Sequence, residues 1–146
     1  MTDSSAVLAA AHTFLLVDWP TREVPDALAI AGFEVVAHGG PGPEDYFAYE
    51  VVDGAVVERR VGAPPVQADV VWTYRPLDEL PGIVEAAVSV GARVVWVHSG
   101  LAAGGDRDPT GCWLPADAAA GARAMVEAAG LEYLDRPYVA GAVRLL

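Results

Sequence analysis

The fold is decided by one stretch of the sequence, which reads ADVVWTY (residues 68–74), PLDELPGIVEAAVSV (76–90) and RVVWV (93–97). The first and last pieces are apolar runs without polar alternation, which is typical of strands buried on both faces of a parallel sheet. In the middle piece, apolar residues recur at the spacing of an amphipathic helix, and Gly91 is a suitable residue to end it. The stretch therefore predicts two parallel strands joined by a helix.

The same alternation extends along the chain in both directions. Further elements are predicted at Thr13–Val17 (strand), Asp26–Ala31 (helix), Phe33–Ala37 (strand), Pro115–Ala129 (helix) and Leu131–Leu134 (strand). Strands that alternate with helices indicate an α/β fold with a doubly wound, mostly parallel sheet and helices on both faces. No linker or internal repeat divides the chain, so residues 1–146 are predicted to form a single domain.

Residues 46–61 follow a different pattern. The runs Tyr46–Val52 and Ala55–Val61 flank Asp53-Gly54, a dipeptide that favours the tight turn of a β-hairpin. We therefore predict an antiparallel hairpin added to the parallel sheet. Its outer strand would leave an edge with which another chain can pair.

The composition excludes several classes of protein. The chain has 146 residues, of which 53% are hydrophobic and 20% charged, so it is expected to fold around a core. Twenty acidic residues against nine basic ones give a net charge of −11, which repels the phosphates of nucleic acids. No apolar run reaches the roughly 18 residues of a membrane span. Because there is one thiol, Cys112, and no targeting signal, we expect a cytoplasmic protein.

The topology also predicts where a ligand binds. In a doubly wound sheet, ligands occupy the crevice outside the carboxyl ends of the strands, so the residues just after each strand are candidates. The predicted ligand-binding residues are Asp18, Trp19, Thr21, His38, Tyr74, Arg75, Pro76, His98, Ser99, Gly100 and Arg136. Every basic residue is an arginine, so Arg75 and Arg136 are the candidates for holding a phosphate. Asp78 and Glu79 are alternative partners for Arg75.

Three segments resemble a known family. ADVVWTYRPLDELPGIVEAA (68–87) resembles the third strand and following helix of small bacterial CoA-binding domain proteins. GARVVWVHSG (91–100) and AGLEYLDR (129–136) are similar to their Gly-Ala-Lys-x-x-Trp-x-Gln-x-Gly and Ala-Gly-Leu-x-x-x-x-Asp-Arg segments. The resemblance covers residues 13–38 and 68–137. It implies a Rossmann-like domain similar to the one at the head of succinyl-CoA synthetase α subunits.

This resemblance implies a ligand and a site. The ligand would be CoA, an acyl-CoA or a related nucleotide, bound without catalysis by Arg75 together with residues 18–21 and 98–100. Val17-Asp18-Trp19 stands where the family usually reads Gly-Ala-Ser, a loop whose backbone N–H groups let a pyrophosphate approach a helix. A carboxylate at Asp18 suits a ribose hydroxyl better than a phosphate.

Two other interpretations of the function stay open at this point. A module that kept the fold and lost the nucleotide would act through a protein partner, using the hairpin edge; that partner would be another protein or a second copy of the chain. A small hydrolase or thiol enzyme would need Cys112 and His98 within hydrogen-bond reach.

Other histidines and aromatic residues have simpler interpretations. His12 and His38 lack the spacing of metal ligands, so no metal site is predicted. Trp72 lies within a predicted strand, as does Trp96, and both are expected in the core. The tryptophans predicted to lie in loops, Trp19 and Trp113, are candidates for stacking on an adenine or for covering the site.

Overall fold

The computed structural model describes residues 3–19, 21–101, 106–107 and 113–146. The helices are α1 (Ser4–Ala10), α2 (Glu23–Ile30), α3 (Leu80–Ser89), α4 (Ala116–Ala128) and α5 (Val139–Val143). The strands are β1 (Thr13–Val17), β2 (Glu34–His38), β3 (Tyr46–Val52), β4 (Ala55–Arg60), β5 (Val70–Thr73), β6 (Val94–Val97) and β7 (Glu132–Leu134). None of these described helices approaches the roughly 20 apolar residues that a bilayer crossing requires.

All strands belong to one seven-stranded sheet in the order β4-β3-β2-β1-β5-β6-β7. The strands from β2 to β7 in this order are parallel, whereas β3 and β4 form the predicted antiparallel hairpin beside β2. The chain moves from β1 to β2 on one side and then returns to β5 on the other side of β1. The strand order therefore switches between β1 and β5. The connections that follow these two strands leave in opposite directions, and a crevice forms between them.

The two faces of the sheet carry separate hydrophobic clusters, which confirms the predicted Rossmann-like α/β fold. On one face, α1, α2 and α5 cover Phe14, Leu16, Trp72 and Trp96; on the other, α3 and α4 cover Leu15 and its neighbours. Successive strand residues point to opposite faces, so a strand buried on both sides needs an uninterrupted apolar run. The two tryptophans predicted to lie in the core are 0% and 1% exposed.

The helix bounds differ from prediction in particular places. The helix predicted at Asp26–Ala31 begins at Glu23, with Pro25 in its first turn, where a missing N–H breaks no helical hydrogen bond. The segment 76–90 starts with a 3₁₀ turn before α3. The helices α1 and α5 lie outside every predicted element, because stretches of seven and five residues carry little periodicity.

The Asp69 side chain links the start of β5 to the start of β1 by hydrogen bonds. Its carboxylate accepts hydrogen bonds from the backbone N–H groups of His12 at 2.7 Å and Thr13 at 2.9 Å. Burial favours the neutral acid, but these bonds to the carboxylate outweigh it, so the pKa of Asp69 is lowered from its ordinary value. We expect Asp69→Ala to lower the free energy of unfolding by about 1–2 kcal/mol at neutral pH, measured by urea denaturation.

The effect of this substitution should depend on pH. The folded-state pKa of Asp69 is below its unfolded value. Its contribution to the free energy of unfolding is therefore complete above the ordinary pKa of 3.8, and it is lost as pH falls through the folded-state value. The unfolding free energies of wild type and Asp69→Ala should therefore converge in acid. Exposed Glu127→Ala is the control, and an equal loss of stability in both variants would contradict the role of Asp69.

Candidate functional site

The carboxyl ends of β5 and β6 border an open groove with a volume of about 440 Å³. It is lined by residues 74–77 after β5, by Val97 and His98 at the end of β6, and by Trp113, Leu114, Pro115 and Ala118 at the start of α4. Most of these side chains are apolar. Clefts of this size with an apolar lining and a few polar groups are the usual form of small-molecule sites.

The far wall of the groove is held in place by Ser99. The backbone N–H of Leu114 donates to the carbonyl oxygen of Ser99 at 2.8 Å, and the Ser99 hydroxyl accepts from the N–H of Leu101 at 3.2 Å. Ser99 is buried, so its part in the groove is to position the segment before α4. In that segment, Trp113 is half-exposed, and the Arg107 guanidinium lies 4.3 Å from the centre of a Trp113 ring.

Arg75 lies at the mouth of the groove between two carboxylates. Its Nη1 is 3.0 Å from Asp18 Oδ2, and its Nη2 is 2.7 Å from Glu79 Oε2. Glu79 first, and Asp18 second, raise the pKa of the Arg75 guanidinium above its ordinary value. All three side chains are partly open to solvent, and exposed ion pairs of this kind contribute little free energy. A phosphate arriving at the mouth can therefore replace either carboxylate at small cost.

Asp18 makes the sharp turn at the end of β1. Its φ of 62° lies in the left-handed region, its N–H donates to the carbonyl of His38 at 2.9 Å, and its Oδ1 accepts from the N–H of Trp19 at 2.8 Å. The second carboxylate oxygen is thereby free to pair with Arg75. An ion pair between β1 and β5 thus occupies the switch point of the sheet.

The first turn of α2 carries two acidic residues, and each of them is paired with an arginine. Glu23 and Asp26 both lie in this turn, and the Thr21 hydroxyl accepts from the N–H of Glu23 at 3.2 Å. Burial, followed by the nearby Glu23 side chain, raises the pKa of Tyr138 to about 12. Arg22 Nε lies 2.9 Å from Asp26 Oδ1, and Arg144 Nη2 lies 3.1 Å from Glu23 Oε2, so the carboxylates at this helix terminus are already engaged.

His98 is packed among aromatic rings beside the groove. The ring centroids of Trp72, Tyr74 and Tyr138 lie 5.9, 4.9 and 5.6 Å from that of His98, each in an edge-to-face arrangement. His98 is only 9% exposed and forms part of the groove lining. His98 therefore lies between the groove and the core cluster on the opposite face of the sheet.

Other predicted site residues face different surroundings. His38 Nε2 is 3.0 Å from the carbonyl oxygen of Gly42, so its imidazole is engaged with the loop that follows β2. Trp19 meets Tyr49 edge to face at 5.9 Å, and a Cβ at Gly39 would come within 2.7 Å of its ring. Trp19 therefore belongs to the rim of the core, which leaves Trp113 as the tryptophan at the groove.

The remaining candidates lie near the ends of β6 and β7. Gly100 has a φ of 67°, a left-handed conformation that glycine adopts without strain. Arg136 Nε is 3.5 Å from Asp135 Oδ1, and the buried Asp135 also accepts from the Tyr133 hydroxyl at 2.8 Å. Cys112 lies outside the described residues, so the structure gives no distance between it and His98. Within the described ranges, no cluster of three His, Cys, Asp or Glu residues is arranged to hold a metal ion.

The groove brings together part of the predicted set. Tyr74, Arg75, Pro76 and His98 line it, Asp18 reaches it through Arg75, and Ser99 positions its wall. Their roles in binding stay predictions. The lining residues that sequence reasoning missed are Leu77, Val97, Leu114, Pro115 and Ala118. The missed signal is that the helix after β6 must begin at the same carboxyl edge, since it connects two parallel strands.

Comparisons with known proteins agree with this architecture. A family whose description is CoA binding domain matches residues 21–140. A solved structure of cell-free ID.343 from Thermus thermophilus is 20% identical in sequence, with a TM-score of 0.58 over 100% of both chains. At this identity, the likeness shows the fold alone. No curated protein sequence matches the chain.

Proposed function

Because the chain belongs to the CoA-binding domain family, we propose that it binds CoA or an acyl-CoA in the groove at the carboxyl ends of β5 and β6. The observation that carries this proposal is an apolar groove with one arginine at its mouth. We further propose that the protein binds this ligand without catalysing a reaction on it. The proposed function requires a groove and a positive charge, and it requires no nucleophile.

The chemistry of the ligand fits the two parts of the site. CoA joins anionic phosphates to a long arm that ends in a thiol or thioester, so it needs one basic contact and one weakly polar channel. Arg75 supplies the basic contact, and guanidinium binds phosphate through paired N–H donors. Leu77, Val97 and Leu114 supply an apolar surface for the arm. A groove of about 440 Å³ holds part of the ligand, with the rest lying across the mouth.

Binding in this site would require Arg75 to change partners. In the unliganded arrangement, Asp18 and Glu79 neutralise the guanidinium. A phosphate would displace one carboxylate, and the freed Asp18 could then accept a hydrogen bond from a ribose hydroxyl. This exchange accounts for an acidic residue where the family usually has Gly-Ala-Ser.

The proposal is tested by calorimetric titration with CoA, dephospho-CoA, NAD and ATP. We expect CoA to bind with a dissociation constant below roughly 1 mM and more tightly than NAD or ATP. A weaker affinity for dephospho-CoA would indicate a contact to the 3′-phosphate. If none of the four ligands binds below roughly millimolar concentration, the ligand of the family does not extend to this chain.

A second candidate function is contact with another protein in place of nucleotide binding. It is favoured by Val17-Asp18-Trp19 in place of a Gly-Ala-Ser loop whose backbone N–H groups would receive a pyrophosphate, and by the hairpin strand β4, which has a neighbour on one side only. The open groove with Arg75 at its mouth argues against it. The titration separates the two functions, since a protein-contact module predicts no nucleotide binding at all.

A further inference from the structure

The two sides of the groove differ in chemistry. At the mouth, the Arg75 guanidinium lies between the carboxylates of Asp18 and Glu79. The far wall, at the start of α4, consists of Trp113, Leu114, Pro115 and Ala118. None of these far-wall side chains is ionisable. The mouth and the far wall therefore suit different parts of a ligand, the mouth a charged part and the far wall an apolar part.

Backbone hydrogen bonds at the floor and in the far wall reinforce this difference. The N–H of His98 donates to the carbonyl oxygen of Thr73 at 2.9 Å, and the N–H of Leu114 donates to that of Ser99 at 2.8 Å. Pro115 has no N–H. A polar group pressed against these residues would give up hydrogen bonds to water, which costs free energy unless new partners replace them. A hydrocarbon group bears no such cost and gains free energy by leaving water.

An acyl-CoA has parts that match both sides of the groove. Its phosphates and the amides of its arm need charged or hydrogen-bonding partners, which the mouth offers because Arg75 and Asp18 are partly open to solvent. Beyond the sulfur, a simple acyl group carries one thioester carbonyl, and the rest is hydrocarbon. Free CoA ends in a thiol and would leave more of the apolar far wall in contact with water. The far wall therefore favours the acylated form of the ligand.

The charges near the far wall favour an acyl group without a charge of its own. Asp117 lies in the first turn of α4, directly before Ala118, and it would repel a carboxylate. The Arg107 guanidinium packs on the Trp113 ring at 4.3 Å, and among the described residues it does not line the groove. A dicarboxylic acyl group would therefore place its free carboxylate against an apolar surface, where it loses water.

We propose that the far wall binds the acyl group of an acyl-CoA, so that the protein binds thioesters of apolar acids more tightly than free CoA. This inference rests on the proposed function and specifies its ligand. Ala118 has the smallest side chain of the far wall and lies in the first turn of α4. The space beside its methyl group therefore limits the size of the acyl group that the groove accepts.

The test is calorimetric titration of the full chain with CoA, acetyl-CoA, butyryl-CoA, hexanoyl-CoA and succinyl-CoA. Full burial of one methylene group raises affinity about fourfold, and because the groove is open on one side we expect about twofold for each. Hexanoyl-CoA should therefore bind roughly tenfold more tightly than acetyl-CoA, and more tightly still than CoA. Succinyl-CoA has the same carbon chain length as butyryl-CoA, but it should bind more weakly because of its carboxylate.

A substitution at Ala118 tests where the acyl group lies. The larger side chain of Ala118→Leu would occupy the space at the far wall, so the preference for hexanoyl-CoA over acetyl-CoA should fall from roughly tenfold to about twofold or less. Ala120→Leu is the matched control, because Ala120 is exposed on the same helix and is not a lining residue; its preference should equal that of wild type. Each preference is a ratio within one variant, so a general loss of affinity does not imitate the effect.

The outcomes separate this inference from the proposed function. Equal affinities for CoA and all of the thioesters would overturn the acyl site and leave CoA binding intact. The acyl site is also overturned if succinyl-CoA binds more tightly than butyryl-CoA, or if Ala118→Leu keeps the wild-type preference. If none of these ligands binds, the proposed function fails and the acyl site fails with it.

Discussion

Replacement of Arg75 by alanine should weaken CoA binding at least tenfold while leaving the urea unfolding midpoint unchanged. The loss of affinity follows because a charge-assisted, bidentate contact to phosphate is worth about ten- to a hundredfold in affinity. The fold should tolerate the change because the partners of Arg75, Asp18 and Glu79, are both exposed enough to be solvated without it. Calorimetry and urea denaturation measure the two quantities separately.

Two further variants make the Arg75 result specific. Arg60→Ala also removes an exposed arginine with a carboxylate partner, Asp45 at 3.0 Å, but it lies in the hairpin and should leave CoA affinity unchanged. Asp18→Asn removes a competitor for the guanidinium and should not weaken phosphate binding. An Arg75→Ala variant with wild-type affinity would remove this residue from the site. A marked fall in its unfolding midpoint would make Arg75 a structural residue.

Replacement of Trp96 by alanine should destabilise the fold by about 3–5 kcal/mol. Trp96 lies in the centre of β6 at 1% exposure, and its indole N–H donates to the carbonyl oxygen of Pro137 at 3.2 Å. Truncation would leave a cavity between the sheet and its helices and an unpaired carbonyl at Pro137. Because domains of this size have a total stability of about 5–15 kcal/mol, much of the variant should unfold at moderate temperature.

Trp113→Ala is the matched control for the core substitution. Trp113 is 47% exposed at the groove, so its loss should change the free energy of unfolding by less than about 1 kcal/mol. It should nevertheless weaken CoA binding if the indole contacts the ligand. Equal stability losses in the two tryptophan variants would contradict the assignment of Trp96 to the core and of Trp113 to the groove.

The architecture could be predicted because its signals act over a few residues. The apolar run Thr13–Val17 indicates a strand buried on both faces, and the Asp53-Gly54 dipeptide indicates a hairpin turn. Alternation of strands and helices then leaves few topologies, since parallel crossovers share one hand. The sequence therefore predicted the doubly wound sheet, the added hairpin and the edge at which to look for a site.

The candidate site could be predicted only in part. Tyr74, Arg75 and His98 were accessible to prediction because they follow strands whose carboxyl ends meet at one edge. The opposite wall at Leu114 and Pro115 was missed because these residues precede a helix and carry no distinctive chemistry. Their place in the groove depends on the backbone hydrogen bond from Leu114 to Ser99, which no local sequence pattern predicts.

By itself, the sequence determined the alternation of the strands with the three longer helices, and it offered Asp78 and Glu79 as partners of Arg75, of which Glu79 is the one in contact. Only the tertiary structure decided that Asp18, 57 positions from Arg75, is its second partner. It alone also separated Trp19, packed on Tyr49, from Trp113, at the groove. The physical reason is that periodicity and turn formation depend on neighbours along the chain. Ion pairs and packing depend instead on distances that exist only once the sheet has assembled.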